Sequence, residues 1–225
     1  MSFSTICIIT AAGSSDRFGE QYKQFSLCEG APLLAWSAKA FAESGAVDAL
    51  LVVHPEGMEQ HSREAVGNAA GELPVFYTAG GASRQDSVRL GLEYLASGPA
   101  PKHVLIHDGA RPWITPACIR EVLKACRRWG GALPVIPITD AVKQIDSQGR
   151  VTAHLLRPVT VGAQTPQAFE FPGILKAHRK AQGSQKAYID DTEVYCDNGG
   201  TVHAVPGDPG NSKVTYPEDI TRSRS

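Results

Sequence analysis

Five short apolar runs, at residues 6–9, 49–53, 74–78, 103–106 and 132–136, do most to limit what this chain can become. Each is short, nearly continuous and bounded by Gly, Pro or polar residues. That is the pattern of a strand buried on both faces, as in a parallel sheet. Helical patterning separates them at 33–44, 58–70, 83–96 and 115–129, with Pro116 placed for the first turn of the last. Strand alternating with helix predicts an α/β fold. Its sheet is mostly parallel and covered on both faces, a Rossmann-like three-layer sandwich. The 225 residues show no internal repeat and suit one large domain. In such sheets ligands bind beyond the carboxyl ends of the strands.

Those ends carry the polar clusters. The first run empties into Ala11-Ala12-Gly13-Ser14-Ser15, and Arg17 and Lys23 follow. A loop of small residues lets backbone N–H groups approach an anion, and two cations beside it make a phosphate-handling loop. The spacing matches neither a Walker A loop nor G-x-G-x-x-G. From the loop alone, an ordinary turn with two solvated cations weighs equally. Gly80-Gly81 permits close approach to a ligand ahead of the third helix. Ser83 reads as that helix's cap, and Ser87 as a cap or a ligand-facing hydroxyl.

His107-Asp108-Gly109-Ala110-Arg111-Pro112 follows a fully apolar run. Asp108 could accept from a hydroxyl or a metal-bound water, and Arg111 could grip a phosphate with two N–H groups. A salt bridge closing the turn is the plainer reading; the place at a buried strand's end favours the functional one. Asp190-Asp191-Thr192-Glu193 suits a helix N-terminus better than a Mg²⁺ site. Residues 207–213 form a second loop, expected to be flexible, that ends in Lys213.

Alternation fails between 139 and 160. There 141–145 and 150–155 flank Asp146-Ser147-Gln148-Gly149, a hairpin signal. The hairpin reads as an arm or lid, or as decoration of the sheet edge. The net charge of −1 gives no general attraction to nucleic acid or membrane surfaces. No apolar stretch approaches a membrane span, and the N-terminus lacks the pattern of a secretory signal. Five scattered cysteines without C-x-x-C spacing argue against a disulfide framework or a zinc site, and for reduced thiols in a cytoplasmic protein. Cys7 and Cys126 read as packing residues.

Taken in order, Ala11–Gly13, Arg17, Lys23-Gln24-Phe25, the G-G-x-x-R-x-D-S-V of 80–88, HDGARP, Thr165-Pro166-Gln167 with Phe169, Asp190-Asp191 and the N-S-K-V-T of 211–215 resemble one family. It is the 2-C-methyl-D-erythritol 4-phosphate cytidylyltransferase family of the non-mevalonate isoprenoid pathway. The resemblance spans nearly the whole chain. It implies a nucleotide-diphospho-sugar-transferase-like fold in which methylerythritol phosphate attacks the α-phosphorus of CTP and pyrophosphate leaves. It implies Mg²⁺, or another divalent cation, as cofactor. Arg17 and Lys23 match cations that stabilise the transition state, and Lys213 a cation near the α-phosphate. Ala11, Ala12, Gly13, Gly81 and Ser87 match cytidine-holding positions. Asp108, Arg111, Thr165 and Arg157 match the site for the second substrate. The resemblance also implies a homodimer, with Arg157 reaching the neighbour's site on the arm.

The sequence departs from the family's pattern at Ala141 and Ile189, where threonine is usual, and at Ala82, where aspartate is usual. A ribitol 5-phosphate cytidylyltransferase and a non-catalytic nucleotide-binding protein on the same fold are the competing readings. A third is one half of a fused enzyme.

Overall fold

The strand Thr5–Thr10 (β1), buried from Thr5 to Ile9, is the centre of the fold, seen in a computed structural model that describes residues 3–13, 18, 22–184 and 186–220. A small antiparallel pair follows, Leu27–Cys28 (β2) and Ala31–Pro32 (β3). Alternation then runs as expected: Leu33–Ser44 (α1), Ala49–His54 (β4), Glu59–Val66 (α2), Val75–Ala79 (β5), Arg84–Ala96 (α3), His103–Asp108 (β6), Pro116–Trp129 (α4) and Gly131–Pro137 (β7). The second half holds Lys143–Ile145 (β8), Val151–His154 (β9), Val161–Ala163 (β10), Gln167–Glu170 (β11), Phe171–Ala181 (α5), Asp191–Asp197 (α6) and His203–Pro206 (β12).

Among the described residues the main sheet has eight strands, in the order β10-β7-β11-β6-β1-β4-β5, with β12 also paired to β7. Strands β6, β1, β4 and β5 are parallel neighbours, as the apolar runs predict. Alternate residues of β1 point to opposite faces. Cys7 and Ile9 pack with Phe41 of α1 and Ile119 of α4, while Ile6 and Ile8 pack with Leu92 of α3 and Ile174 of α5. Each face thus has its own helical layer and core, giving the three-layer sandwich.

Three features differ from the sequence pattern. Helix α2 stops at Val66 rather than 70, because Gly67 (φ +48°) turns the chain and donates to Arg63 O. The β2–β3 pair, too short to give a periodic signal, turns on Glu29 and Gly30, both at positive φ. Residues 161–170 return along β7 in two antiparallel pieces, β10 and β11, either side of the cis Thr165–Pro166 bond.

The hairpin between 141 and 155 is present as β8 and β9, away from the main sheet. Its turn is closed by Asp146, whose Oδ1 accepts from Gln148 N at 2.9 Å and Arg150 N at 3.0 Å, with Gly149 at φ +80°. The arm exposes Ile145, Val151, Leu156 and Val159, the last two more than 70 % exposed at 73 % and 78 %.

Cys7, Cys28, Cys118 and Cys126 are buried, and Cys196 on α6 is exposed. Burial pushes the Cys118 thiol up to about 11 and that of Cys126 up to about 12, so both are packing groups. No helix among the described residues is long and apolar enough to cross a membrane.

Candidate active site

A cleft of about 370 Å³ opens beyond the carboxyl ends of β1, β5 and β6. Ala11, Ala12 and Gly13 leave β1 to form one wall, and Gly81, Ala82 and Ser87 form another. Both walls are built at close quarters. A Cβ at Gly80 would stand 2.3 Å from Ala12 Cβ, and one at Gly81 2.6 Å from Asp86 Cβ, so both positions require glycine. Ser87 is buried, and its hydroxyl accepts from Gly81 N at 3.1 Å and donates to Ser83 O at 2.9 Å. It therefore shapes the glycine turn from within. Ser83 caps α3 as expected, accepting from Asp86 N at 3.0 Å.

Lys23 reaches the cleft because its neighbour Gln24 is buried and donates through Nε2 to Ala11 O. That hydrogen bond ties the short turn of residues 23–25 to the end of β1. The sequence marks the turn only as a charged segment; the anchoring amide is what points it inward.

Asp108 is the electrostatic centre. Its Oδ1 lies 3.1 Å from Arg84 Nε, and its Oδ2 lies 2.8 Å from Lys213 Nζ and 3.8 Å from Arg111 Nε. Burial would raise its pKa, but Arg84, Lys213 and Arg111 outweigh burial and hold it well below the usual carboxylate range. Arg84 continues inward to Asp191, its Nη2 2.9 Å from Oδ2. Asp191 in turn meets His178 at 3.2 Å. Burial disfavours the charge on Asp191 too, and Arg84 and His178 together hold its pKa below the usual value.

Behind Asp108, His107 and Thr165 form a neutral, hydrogen-bonded pair. His107 is buried completely, which lowers its pKa to about 4. A carbonyl can only accept, so the 3.1 Å contact to Arg111 O puts the ring proton on Nε2. Nδ1 then accepts from the Thr165 hydroxyl at 3.0 Å, and that oxygen accepts from Asp108 N at 3.1 Å. Because the folded-state pKa of His107 lies below its unfolded value, its contribution to stability is complete above about pH 6.5 and lost as pH falls towards 4. Thermal unfolding should show a loss of about 3 kcal/mol across that window from this group, and His107→Gln should flatten the window. An equally steep slope in the variant would mean that other groups carry it.

The loop before Lys213, expected to be flexible, is fastened. Gln164 Nε2 donates to Asp208 O at 2.8 Å, Asn211 Nδ2 to Thr165 O at 2.9 Å, and Arg111 Nη1 to Asn211 O at 2.8 Å. Val214 N donates to Ala110 O at 2.8 Å. Arg111 thus braces the loop that presents Lys213, besides facing Asp108.

Of the residues singled out from the sequence, Ala11, Ala12, Gly13, Gly81, Ser87, Lys23, Asp108 and Lys213 line this one cleft; Ser14 and Ser15 lie outside the described residues. Thr165 and Arg111 stand directly behind Asp108. Arg157 lies on the arm, away from the cleft lining, with Nη1 donating to Thr139 O at 3.0 Å. Arg17 lies outside the described residues. Sequence reasoning missed the Arg84–Asp191 link, although one signal was present. Arg84 opens α3, where the helix dipole disfavours a cation, so a compensating carboxylate had to be near.

No cluster of three or more His, Cys, Asp or Glu that would cage a metal occurs among the described residues.

Comparison with known proteins points to one family. The family described as "IspD: 2-C-methyl-D-erythritol 4-phosphate cytidylyltransferase" matches residues 5–225. The chain is 42% identical to a 2-C-methyl-D-erythritol 4-phosphate cytidylyltransferase of Cereibacter sphaeroides, over 98% of this chain and 95% of that one. It is also 42% identical to a bifunctional enzyme IspD/IspF of Rhodopseudomonas palustris, over 98% of this chain and 55% of that one. The chain therefore spans about half the length of the bifunctional relatives it matches. Among solved structures, 2-C-methyl-D-erythritol 4-phosphate cytidylyltransferase of Thermus thermophilus superposes with a TM-score of 0.76 at 30% identity, over 98% and 96% of the two chains. A 4-diphosphocytidyl-2C-methyl-D-erythritol synthase of Anaerococcus prevotii superposes with a TM-score of 0.84 at 26% identity, over 97% and 93%. From the motif order, the cleft and the match over residues 5–225, the chain belongs to the 2-C-methyl-D-erythritol 4-phosphate cytidylyltransferase family.

Proposed function

We propose that this chain transfers the cytidylyl group of CTP to 2-C-methyl-D-erythritol 4-phosphate, releasing pyrophosphate, in non-mevalonate isoprenoid precursor synthesis. The observation that carries the reading is Lys23, Arg84 and Lys213 facing one cleft with a small-residue loop at its wall. An acceptor phosphate oxygen forms the new bond to the α-phosphorus of CTP as the bond to the β-phosphate oxygen breaks. Such transfers need alignment and charge neutralisation more than covalent help. Lys23 and Lys213, with Arg17, neutralise the phosphates. Ala11, Ala12, Gly13, Gly81 and the turn held by Ser87 seat the cytidine. Asp108, backed by Thr165 and Arg111, faces the acceptor.

Mg²⁺ or another divalent cation is the proposed cofactor. The cleft offers it one carboxylate, Asp108, already flanked by cations. That donor set fits a cation held mainly by the nucleotide's own phosphates rather than by a protein cage. When bound, the cation adds positive charge at those phosphates.

The proposed assembly is a cytoplasmic homodimer through the arm, within a single domain spanning 1–225. It would cover the apolar side chains that the hairpin exposes, and Arg157 would serve the partner's site. Arg157→Ala should raise the KM for the acceptor. Mixed with an inactive Lys23→Ala protein, it should recover activity in heterodimers, because one site then has both residues intact. Verified heterodimers without recovery would exclude action across the dimer.

The deciding assay is pyrophosphate release with CTP and Mg²⁺, comparing methylerythritol phosphate, ribitol 5-phosphate and no acceptor. Release with methylerythritol phosphate alone supports the proposal. Release with ribitol 5-phosphate alone keeps the chemistry and changes the pathway. Silence with both, in protein that binds CTP, favours a binding role.

A further inference from the structure

Arg84 is gripped from two sides. On the cleft side its Nε meets Asp108 Oδ1 at 3.1 Å, and on the inner side its Nη2 meets Asp191 Oδ2 at 2.9 Å. The side chain of Asp191 is 1% exposed, and its other oxygen faces the fully buried His178. Its backbone N–H donates to Gln167 Oε1 at 3.1 Å, while Gln167 Nε2 donates to Asp190 Oδ2 at 2.9 Å. Asp191 therefore has little room to turn.

Capping α6 does not explain this burial. Asp190 is the cap, and it accepts from Glu193 N at 3.0 Å. Arg84, for its part, sits where the dipole of α3 disfavours a cation. Two separately unfavourable placements meet in one ion pair, and the free end of that pair lies on the cleft wall against Asp108.

We propose that Asp191, backed by His178, is a positioning residue for the transfer reaction: it aims Arg84, and Arg84 fixes the carboxylate of Asp108 towards the acceptor. Asp191 touches nothing that reacts. The inference rests on the cytidylyltransferase reading and extends it to the second-substrate side of the site. A purely structural bridge between α3 and α6 would lower stability without distinguishing the two substrates.

The test is steady-state kinetics of folded Asp191→Asn, varying each substrate in turn beside the wild type. The KM for methylerythritol phosphate should rise about tenfold, the scale of one lost charge-assisted contact, while that for CTP stays within about threefold. Arg84→Lys, whose ammonium cannot span two carboxylates, should give the same split. The double variant should be no worse than Arg84→Lys alone. A folded Asp191→Asn with unchanged KM values, or fully additive losses, overturns the inference. Should Asp191→Asn fail to fold, His178→Gln carries the test, and an unchanged acceptor KM there overturns it. A wild type silent with methylerythritol phosphate overturns the functional reading instead, and the split is then read with the acceptor that does release pyrophosphate. A wild type silent with every acceptor overturns both.

Discussion

Lys23→Ala should lower turnover by a factor on the order of 10²–10³, the usual effect of deleting one donor aimed at transition-state charge. CTP affinity should change by no more than about threefold. The difference follows from where the charge is needed. In the proposed reaction the ground-state charge of the triphosphate is shared among Lys23, Lys213 and the backbone of residues 11–13, all of which line the cleft. The additional charge that develops as pyrophosphate leaves falls, on that reading, to Lys23 and Arg17. The turn that carries Lys23 is also anchored, since Gln24 is buried and bonded to Ala11 O, so its backbone is set on the cleft before substrate arrives. Pyrophosphate-release kinetics give kcat, and titration calorimetry gives the dissociation constant of CTP. A variant that loses CTP affinity as steeply as turnover would make Lys23 a binding residue only.

Removing Asp108 should be the most damaging single change to the fold of the site. Asp108→Ala leaves Arg84 with one carboxylate instead of two and takes the counter-ion from Lys213 and Arg111. Breaking a buried ion pair by deleting one partner costs about 3–5 kcal/mol. Because the folded carboxylate is held well below its unfolded pKa, its contribution is present above about pH 4 and lost as acid titrates the folded group. The gap between wild type and Asp108→Ala in urea unfolding should therefore be full at pH 7 and shrink in strong acid. A gap below about 1 kcal/mol at pH 7 would mean that solvent screens the cluster as it would a surface pair.

The parallel half of the sheet was legible because β1, β4 and β6 are almost entirely buried and so carry unbroken apolar runs, while β5, the half-buried edge strand, keeps β-branched and aromatic residues from Val75 to Thr78. Helix α1 was legible to the residue, and α4 only moved its cap to Thr115. The returning pieces β10 and β11 were not legible. They have three and four residues, and a proline peptide interrupts them. Within the site, residues at strand ends could be found by position. Arg84 and Asp191 could not be paired from sequence, since the contact joins two helices far apart in the chain. Asp190-Asp191 was read as one capping element; the two neighbours divide, Asp190 capping α6 and Asp191 facing inward to Arg84.

The distribution of thiols has a practical consequence. Four cysteines are buried, and Cys196 is exposed five residues beyond Asp191 on α6, about one and a half helical turns. A maleimide dye at mildly alkaline pH should therefore mark a single place on the native protein, without any engineered handle. That place rides on the helix that backs Arg84, so the dye's emission would report directly on whether the helix shifts as each substrate enters.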